Sequence, residues 1–104
     1  MSRIYLVQND TLPRVTLRIT DADDNDADIS GCTGATVHMR AVGGAIVTTI
    51  AATVNTAAGT VEFDFSGGEL SAAGEYEAEV QLQFGAQVQT LYRPLKLRVR
   101  GEFA

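Results

Sequence analysis

A short acidic segment, Asp21 to Asp28, opens with the spacing of a calcium loop. Asp21, Asp23 and Asn25 stand at alternate positions, and oxygen ligands at this spacing begin the helix–loop–helix sites that bind Ca²⁺. Such a loop needs glycine at its sixth position and glutamate at its twelfth, and this chain has an aspartate and a cysteine there. The pattern therefore favours a solvated acidic turn, with a weak and irregular Ca²⁺ site as the alternative.

Three glutamates at alternate positions could supply paired carboxylates. Glu75, Glu77 and Glu79 share one face of a strand, with neighbouring side chains about 7 Å apart. Acid–base work on a glycosidic bond requires one carboxylate desolvated in a pocket. A basic strand with Lys96 and Arg98 is predicted to lie beside them, so the pattern favours a ladder of charge pairs across strands.

The two remaining side chains with reactive chemistry stand alone. His38 is the single histidine and Cys32 the single cysteine. A catalytic triad or a zinc site needs partners that the sequence does not bring near them. We expect a surface histidine on the outer face of a strand and a partly buried apolar cysteine. The sequence predicts no enzyme, cofactor or metal centre.

The C-terminal segment is basic within an acidic protein. This candidate docking surface comprises Arg93, Lys96, Arg98 and Arg100. One interpretation pairs these cations with the glutamates of the same chain. The other makes them a charged edge that fits an acidic surface of another copy or another protein. The uncharged segment from Ala45 to Ala58 is a second candidate, since an unguarded edge strand can pair with a neighbour.

Composition narrows the classes of partner. The chain has 104 residues, a formal net charge of −5 and a pI of about 4.6. A protein that grips a phosphate backbone needs a basic face, so nucleic acid is disfavoured. No apolar run approaches the roughly 18 residues of a membrane span, and the first residues lack a signal-peptide core. We expect one domain, residues 1–104, made in a cytoplasm.

Strand periodicity dominates the chain. Five segments alternate apolar and polar residues, which is typical of antiparallel sheets with one wet face. They lie around Val15 to Thr20, Thr36 to Ala41, Thr60 to Phe65, Glu75 to Phe84 and Leu95 to Arg100. Two weaker strands are predicted at Arg3 to Val7 and Ala45 to Val54, and one helical turn at Glu69 to Ala73. About seven short strands predict an all-β, antiparallel sandwich.

The Gly85-Ala86 pair predicts a two-residue hairpin. Phe84 would then face Gln87, and the same register continued would place Glu75 opposite Lys96. This register also turns Leu91, Leu95, Leu97 and Val99 inward together. Pro94 cannot donate to a ladder, so a bulge or an edge position is expected there.

Gly74-Glu75-Tyr76 resembles the tyrosine corner of immunoglobulin-type sandwiches. In that motif the tyrosine hydroxyl bonds to nearby backbone at the start of a late strand. Gly74 and Tyr76 are therefore predicted to define the fold. Ala78 stands where antibody domains carry a cysteine, so the motif implies the architecture without the disulfide.

A longer series of motifs resembles the N-terminal domain of the phage baseplate upper protein family. These motifs follow the family's order over nearly the whole chain: Gln8 to Pro13, Val15 to Thr20, Asp21 to Asn25, Thr33 to Val37, Gly74 to Tyr76 and Thr90 to Pro94. Asn9 replaces a glycine of the family pattern, and asparagine also tolerates a left-handed backbone. Cys32 stands where the family usually has leucine, and no tryptophan follows the Phe63–Phe65 strand.

The resemblance implies an immunoglobulin-like, virion-associated protein without catalytic activity. Its expected partners are other phage structural proteins, in a symmetric homo-oligomer on the particle, at the baseplate, tail tip or head surface. The larger members of the family add receptor-facing domains, which favours an adaptor, decoration or connector role here. The alternative is a module that binds glycan or protein on the host surface.

Overall fold

A computed structural model describes residues 3–20, 25, 27–45, 47–91 and 94–103. These residues form eight strands and no helix. The strands are β1 (Arg3–Val7), β2 (Val15–Arg18), β3 (Gly34–Ala41), β4 (Thr48–Asn55), β5 (Thr60–Phe63), β6 (Gly74–Phe84), β7 (Gln87–Thr90) and β8 (Leu95–Arg100). The all-β prediction is confirmed.

Alternating burial explains why these segments are strands. Along β8, Leu95, Leu97 and Val99 are buried and the three residues between and after them are exposed. In β3, Ala35, Val37 and Met39 are buried in the same way. Side chains of a strand point alternately to the two sides of the sheet. One side therefore becomes the core and the other remains available at the surface.

The strands form a curled mixed sheet. Their order is β1-β8-β6-β3-β4-β5-β2, and β7 also pairs with β6. The first half of β4 pairs with β3, and its second half pairs with β5. β4 thereby joins the two parts of the sheet.

The prediction that all strands pair antiparallel is wrong at one edge. β1 runs parallel to β8, with Arg3 opposite Lys96. Apolar alternation fixes which face of a strand is buried, but it carries no information about the direction of the neighbouring strand. A sandwich of immunoglobulin type stays a prediction, since the pairing shows only a curled mixed sheet.

Curling brings the two ends of the sheet to one core. Leu6 of β1 and Val15 of β2 belong to the same buried cluster. Phe63 and Phe65 pack edge to face there, with ring centroids 5.7 Å apart and planes at 78°. Leu70 is fully buried and reaches the core from the loop before β6. The predicted helical turn at Glu69 to Ala73 is not formed, since these residues are turns and bends that lay Leu70 on the core.

The hairpin prediction is right at the turn and wrong beyond it. Phe84 faces Gln87 across Gly85-Ala86, and Gly85 has the positive φ that suits the first position of a two-residue turn. Farther on, however, Glu75 pairs with Arg98, and Lys96 pairs with Glu77. The register has therefore moved by two residues.

The register moves between two fixed points. Leu91 donates its backbone N–H to the carbonyl of Val80, and the next ladder position pairs Leu95 with Ala78. Three chain positions separate these points on one side, and one position separates them on β6. The register shift thus falls beside Pro94, where a bulge or an edge position was expected, and because two is an even number the side chains of β8 keep their predicted faces.

Gly74 and Tyr76 begin β6 with a local lock. The Tyr76 hydroxyl donates to the carbonyl oxygen of Ala72 at 2.6 Å, which is the kind of contact that a tyrosine corner makes. Gly74 has φ of 145°, in the range that favours glycine. The bond ties the start of β6 to the turn before it, while the wider immunoglobulin-like assignment stays a prediction.

Candidate docking surface

The outer side of β1, β8, β6 and β3 carries rows of charged residues. Cross-strand pairs in the sheet lie about 4.5–5.5 Å apart, so residues in register are neighbours. We call this surface the charged face; it comprises Arg3, Tyr5, Lys96, Arg98, Arg100, Glu75, Glu77, Glu79, His38 and Arg40. The strand pairing itself positions these side chains.

Two glutamates of β6 connect the neighbouring strands. Glu75 accepts from Arg98 of β8 at 2.9 Å and from Arg3 of β1 at 2.7 Å, both through Oε1. Glu77 accepts from the Arg40 Nε of β3 at 2.8 Å. The predicted charge ladder is therefore formed, with Arg3 and Arg40 as additional cations. Exposed pairs of this kind contribute only about 0.2–1 kcal/mol each.

Three charges on this face, those of Lys96, Glu79 and Arg100, have no ion pair with another described residue. Lys96 stands opposite Glu77, whose carboxylate binds Arg40 instead. Glu79 stands opposite His38. Their charges face solvent on either side of the paired residues.

Arg100 closes one end of the charged face. Its guanidinium carbon lies 4.8 Å from the centroid of the Phe103 ring, a cation–π distance. It also donates to the carbonyl of Gly101 at 3.0 Å. Phe103 itself is 96% exposed, so this end offers a cation and an aromatic ring together.

A shallow groove crosses the charged face between β3 and β6, next to the residues that precede β4 and β8. Its volume is about 490 Å³, and His38, Arg40, Glu77, Glu79, Gln81, Val47 and Pro94 are among the residues that line it. The Thr49 hydroxyl lies 3.5 Å from the Nδ1 atom of His38. The lining mixes both signs of charge with an exposed valine. It suits a polar loop or an extended segment of another protein.

The sequence prediction located part of this surface. Lys96, Arg98 and Arg100 lie on the charged face as exposed residues, while Arg93 lies outside the described residues. Arg3 and Arg40 were not among the predicted residues. The alternation of Arg3 and Arg40 with apolar neighbours indicates that both lie on the outer side of their strands. Only the strand order, however, places them beside the glutamates.

The other chemical candidates lie apart from the charged face. Cys32 is buried, as predicted, and its thiol lies 3.1 Å from the carbonyl oxygen of Gly34. Asp21, Asp23, Asp24 and Asp26 lie outside the described residues, so the calcium-loop alternative stays a prediction. The described part of the chain has no cluster of three or more side chains that could hold a metal ion.

A second charged cluster lies on β5 and the residues around it. Arg14 donates to Glu62 at 3.0 Å and to Asp64 at 3.3 Å. Hydrogen bonds from the Ser66 side chain and backbone, with a smaller effect of Arg14, hold the pKa of Asp64 below 3.8. The Ser30 backbone and side chain lower the pKa of Asp28 in the same way. Both carboxylates serve as local turn acceptors.

Beyond the groove the sheet becomes uncharged. We call this region the neutral end; it comprises Gln81, Gln83, Thr36 and the four residues of β7. Val88 stands opposite Gln83 and Thr90 opposite Gln81. All of β7 is exposed, and Val88 is 62% exposed.

Comparison with protein-family models and with curated proteins finds no match for this chain. Within the described residues, no helix has the length and apolarity to cross a membrane.

Proposed function

We propose that this chain is a non-enzymatic structural protein of a tailed-phage virion that docks on other virion proteins through its charged face. The observation that carries the proposal is the concentration of positive charge on one side of an acidic protein. Arg3, Arg40, Lys96, Arg98 and Arg100 all lie there, out of eight basic residues in the chain. The motif series from Gln8 to Pro94 supports the virion assignment by resemblance.

Electrostatics determine what kind of partner would fit. Glu75 and Glu77 form ion pairs with three of the cations within the face, while Lys96 and Arg100 have no carboxylate partner in the described structure. An acidic patch on a partner would meet these two side chains. Charges arranged this way fix orientation and speed association more than they add affinity.

The proposed architecture is an immunoglobulin-like sandwich. β1, β8, β6 and β3 would form one sheet, β5 and β2 the other, with β4 passing between them. The shared core and the Tyr76–Ala72 bond support this arrangement. On a particle, many symmetric copies would add weak contacts into firm attachment. The protein would be made in the host cytoplasm and retained in the virion.

The first experiment asks whether the protein is in the particle. Mass spectrometry of gradient-purified virions should detect the chain, and cross-linking should join Lys96 to an acidic segment of a neighbouring virion protein. Absence from purified particles would refute the virion assignment. Adsorption of the isolated protein to host cells or to a glycan array, without retention in particles, would favour the host-surface module instead.

The second part uses a matched pair of substitutions. Lys96→Gln and Arg14→Gln each remove one positive charge, but only Lys96 lies on the charged face, where it has no ion pair within the described residues. We expect Lys96→Gln to lower incorporation by about tenfold if it costs 1.4 kcal/mol of binding, and Arg14→Gln to leave it unchanged. Equal incorporation of both variants would refute docking through this face.

A further inference from the structure

The edge strand β7 has one open side. It pairs with β6, and in the described part of the chain no strand lies on its other side. All four of its residues are exposed. An edge strand of this kind presents backbone N–H and C=O groups in a row.

The hairpin register identifies which groups point outward. A two-residue turn places Phe84 and Gln87 in a hydrogen-bonded pair, and the N–H of Leu91 donates to Val80 in the same alternation. Hydrogen-bonded and non-hydrogen-bonded pairs alternate in an antiparallel ladder. The N–H and C=O groups of Val88 and Thr90 therefore point away from β6.

Nothing on β7 guards this edge. Natural edge strands usually carry a charge, a proline or a bulge that blocks further pairing. β1 carries Arg3, and β2 has Arg14 before it and Arg18 at its end. β7 reads Gln-Val-Gln-Thr, which contains no charge and no proline.

We propose that β7 pairs antiparallel with β7 of a second copy of this chain, about a two-fold axis at Gln89. This register places Val88 of each copy opposite Thr90 of the other. The outward N–H and C=O groups of these two residues then exchange about four hydrogen bonds, as a hydrogen-bonded pair requires. β-branched residues opposite each other also pack favourably.

Charge selects a second copy as the occupant. The chain has a net charge of −5, so the repulsion between two copies is weakest where they meet through an uncharged surface. The neutral end is such a surface, because the sequence from Val80 to Leu91 contains no charged residue. A strongly charged peptide would find no opposite charge there. A two-fold contact also needs only one self-complementary patch.

The contact is small, so the isolated dimer should be weak. Stable interfaces bury about 1,200–2,000 Å², more than a four-residue ladder can cover. The proposal rests on the proposed function only in one respect: symmetric copies on a particle would strengthen the pairing by raising the local concentration. The dimer itself is a property of the isolated chain.

Sedimentation analysis of the whole chain over a wide concentration range tests the proposal. We expect the mass to rise from 11.1 kDa toward twice that value. Amide exchange at Val88 and Thr90 should slow as the concentration rises. A chain that stays monomeric up to about 1 mM, where only about 4 kcal/mol of binding is needed, overturns the proposal.

Two substitutions disrupt pairing at the open edge of β7 by different means. Val88→Lys adds a charge to the strand, and Thr90→Pro removes an outward N–H while leaving the ladder to β6 intact. Each should weaken dimerisation at least about tenfold. Val42→Lys, at an exposed valine opposite Glu75, is the matched control and should leave the dimer unchanged. A dimer that survives both edge variants overturns the proposed register.

These results separate the dimer from docking. A monomeric wild type that still enters virions overturns the dimer and leaves docking through the charged face standing. Edge variants that lose the dimer in solution but still enter virions support both proposals on separate surfaces.

Discussion

The charged face and the neutral end both include part of β6, but they expose different chemical groups to solvent. In the first half of β6, Glu75 and Glu77 bind arginines from three other strands. In the second half the same outward positions hold Gln81 and Gln83, beside the open edge of β7. Side-chain charge thus dominates one half, and backbone hydrogen-bonding groups dominate the other.

The comparison shows how a small sheet can offer two kinds of contact. Charged side chains orient a partner and depend on salt. Open backbone groups accept any strand that matches in length and shape, and they depend little on sequence. Because all these groups lie outside the core, either contact can change while the fold remains.

The largest expected effect is a loss of stability, and it should be equal under the charged face and under the neutral end. Leu97 lies under the charged face and Leu82 under the neutral end, and both are almost fully buried. Replacing either with alanine should lower the free energy of unfolding by about 2–5 kcal/mol, because each leaves a cavity. Urea denaturation measures both values. A large loss at only one position would show that the halves differ in their core and not just in their surfaces.

A smaller effect, the salt dependence of stability, should distinguish the charged face from the neutral end. Glu75→Gln removes the common partner of Arg3 and Arg98, and should cost about 0.2–1 kcal/mol for each exposed pair at low salt. The loss should shrink as salt screens the wild-type pairs. Gln83→Glu, the control in the neutral half, has no arginine of the charged face beside it. Equal salt dependence of the two variants would argue that the halves are electrostatically alike.

The smallest expected effect is on acid stability, and it arises from Asp64, which lies outside both the charged face and the neutral end. The pKa of Asp64 is held below 3.8, first by the hydrogen bonds from Ser66. Its carboxylate therefore stabilises the fold above pH 3.8, and this contribution is lost as the pH falls through the lower folded-state value. A carboxyl NMR titration should find the depressed pKa. In Asp64→Asn, stability should fall less between pH 4 and pH 2 than in the wild type, whereas an unchanged acid response would contradict the assigned role.

Much of the fold was predictable because burial alternates with a period of two. Leu95, Leu97 and Val99 follow the pattern without exception, and the Gly85-Ala86 turn fixes its own closing pair. The prediction of an open edge at Ala45 to Ala58 is wrong, because β4 (Thr48–Asn55) pairs with β3 and with β5 inside the sheet. The open edge is β7, which was not recognised as a separate strand. Its four exposed residues carry no apolar alternation, so there was no burial signal to find.

The arrangement of the charged face was less predictable. Arg3 reaches Glu75 only because β1 lies parallel to β8, and strand neighbours so distant in the chain leave no local pattern. The acid–base pairing was right in kind, but its partners moved by two residues after Leu91. A ladder extrapolated from one turn cannot reveal such a shift.

That two-residue step has a consequence for how the chain tolerates changes in length. An insertion or deletion of two residues between Leu91 and Leu95 would slide the last strand along β6 and leave its inner and outer sides as they are. Loss of a single residue there would exchange the inner and outer sides of the strand, and would place Lys96 and Arg98 in the hydrophobic core. Natural length variation at this step should therefore come in pairs.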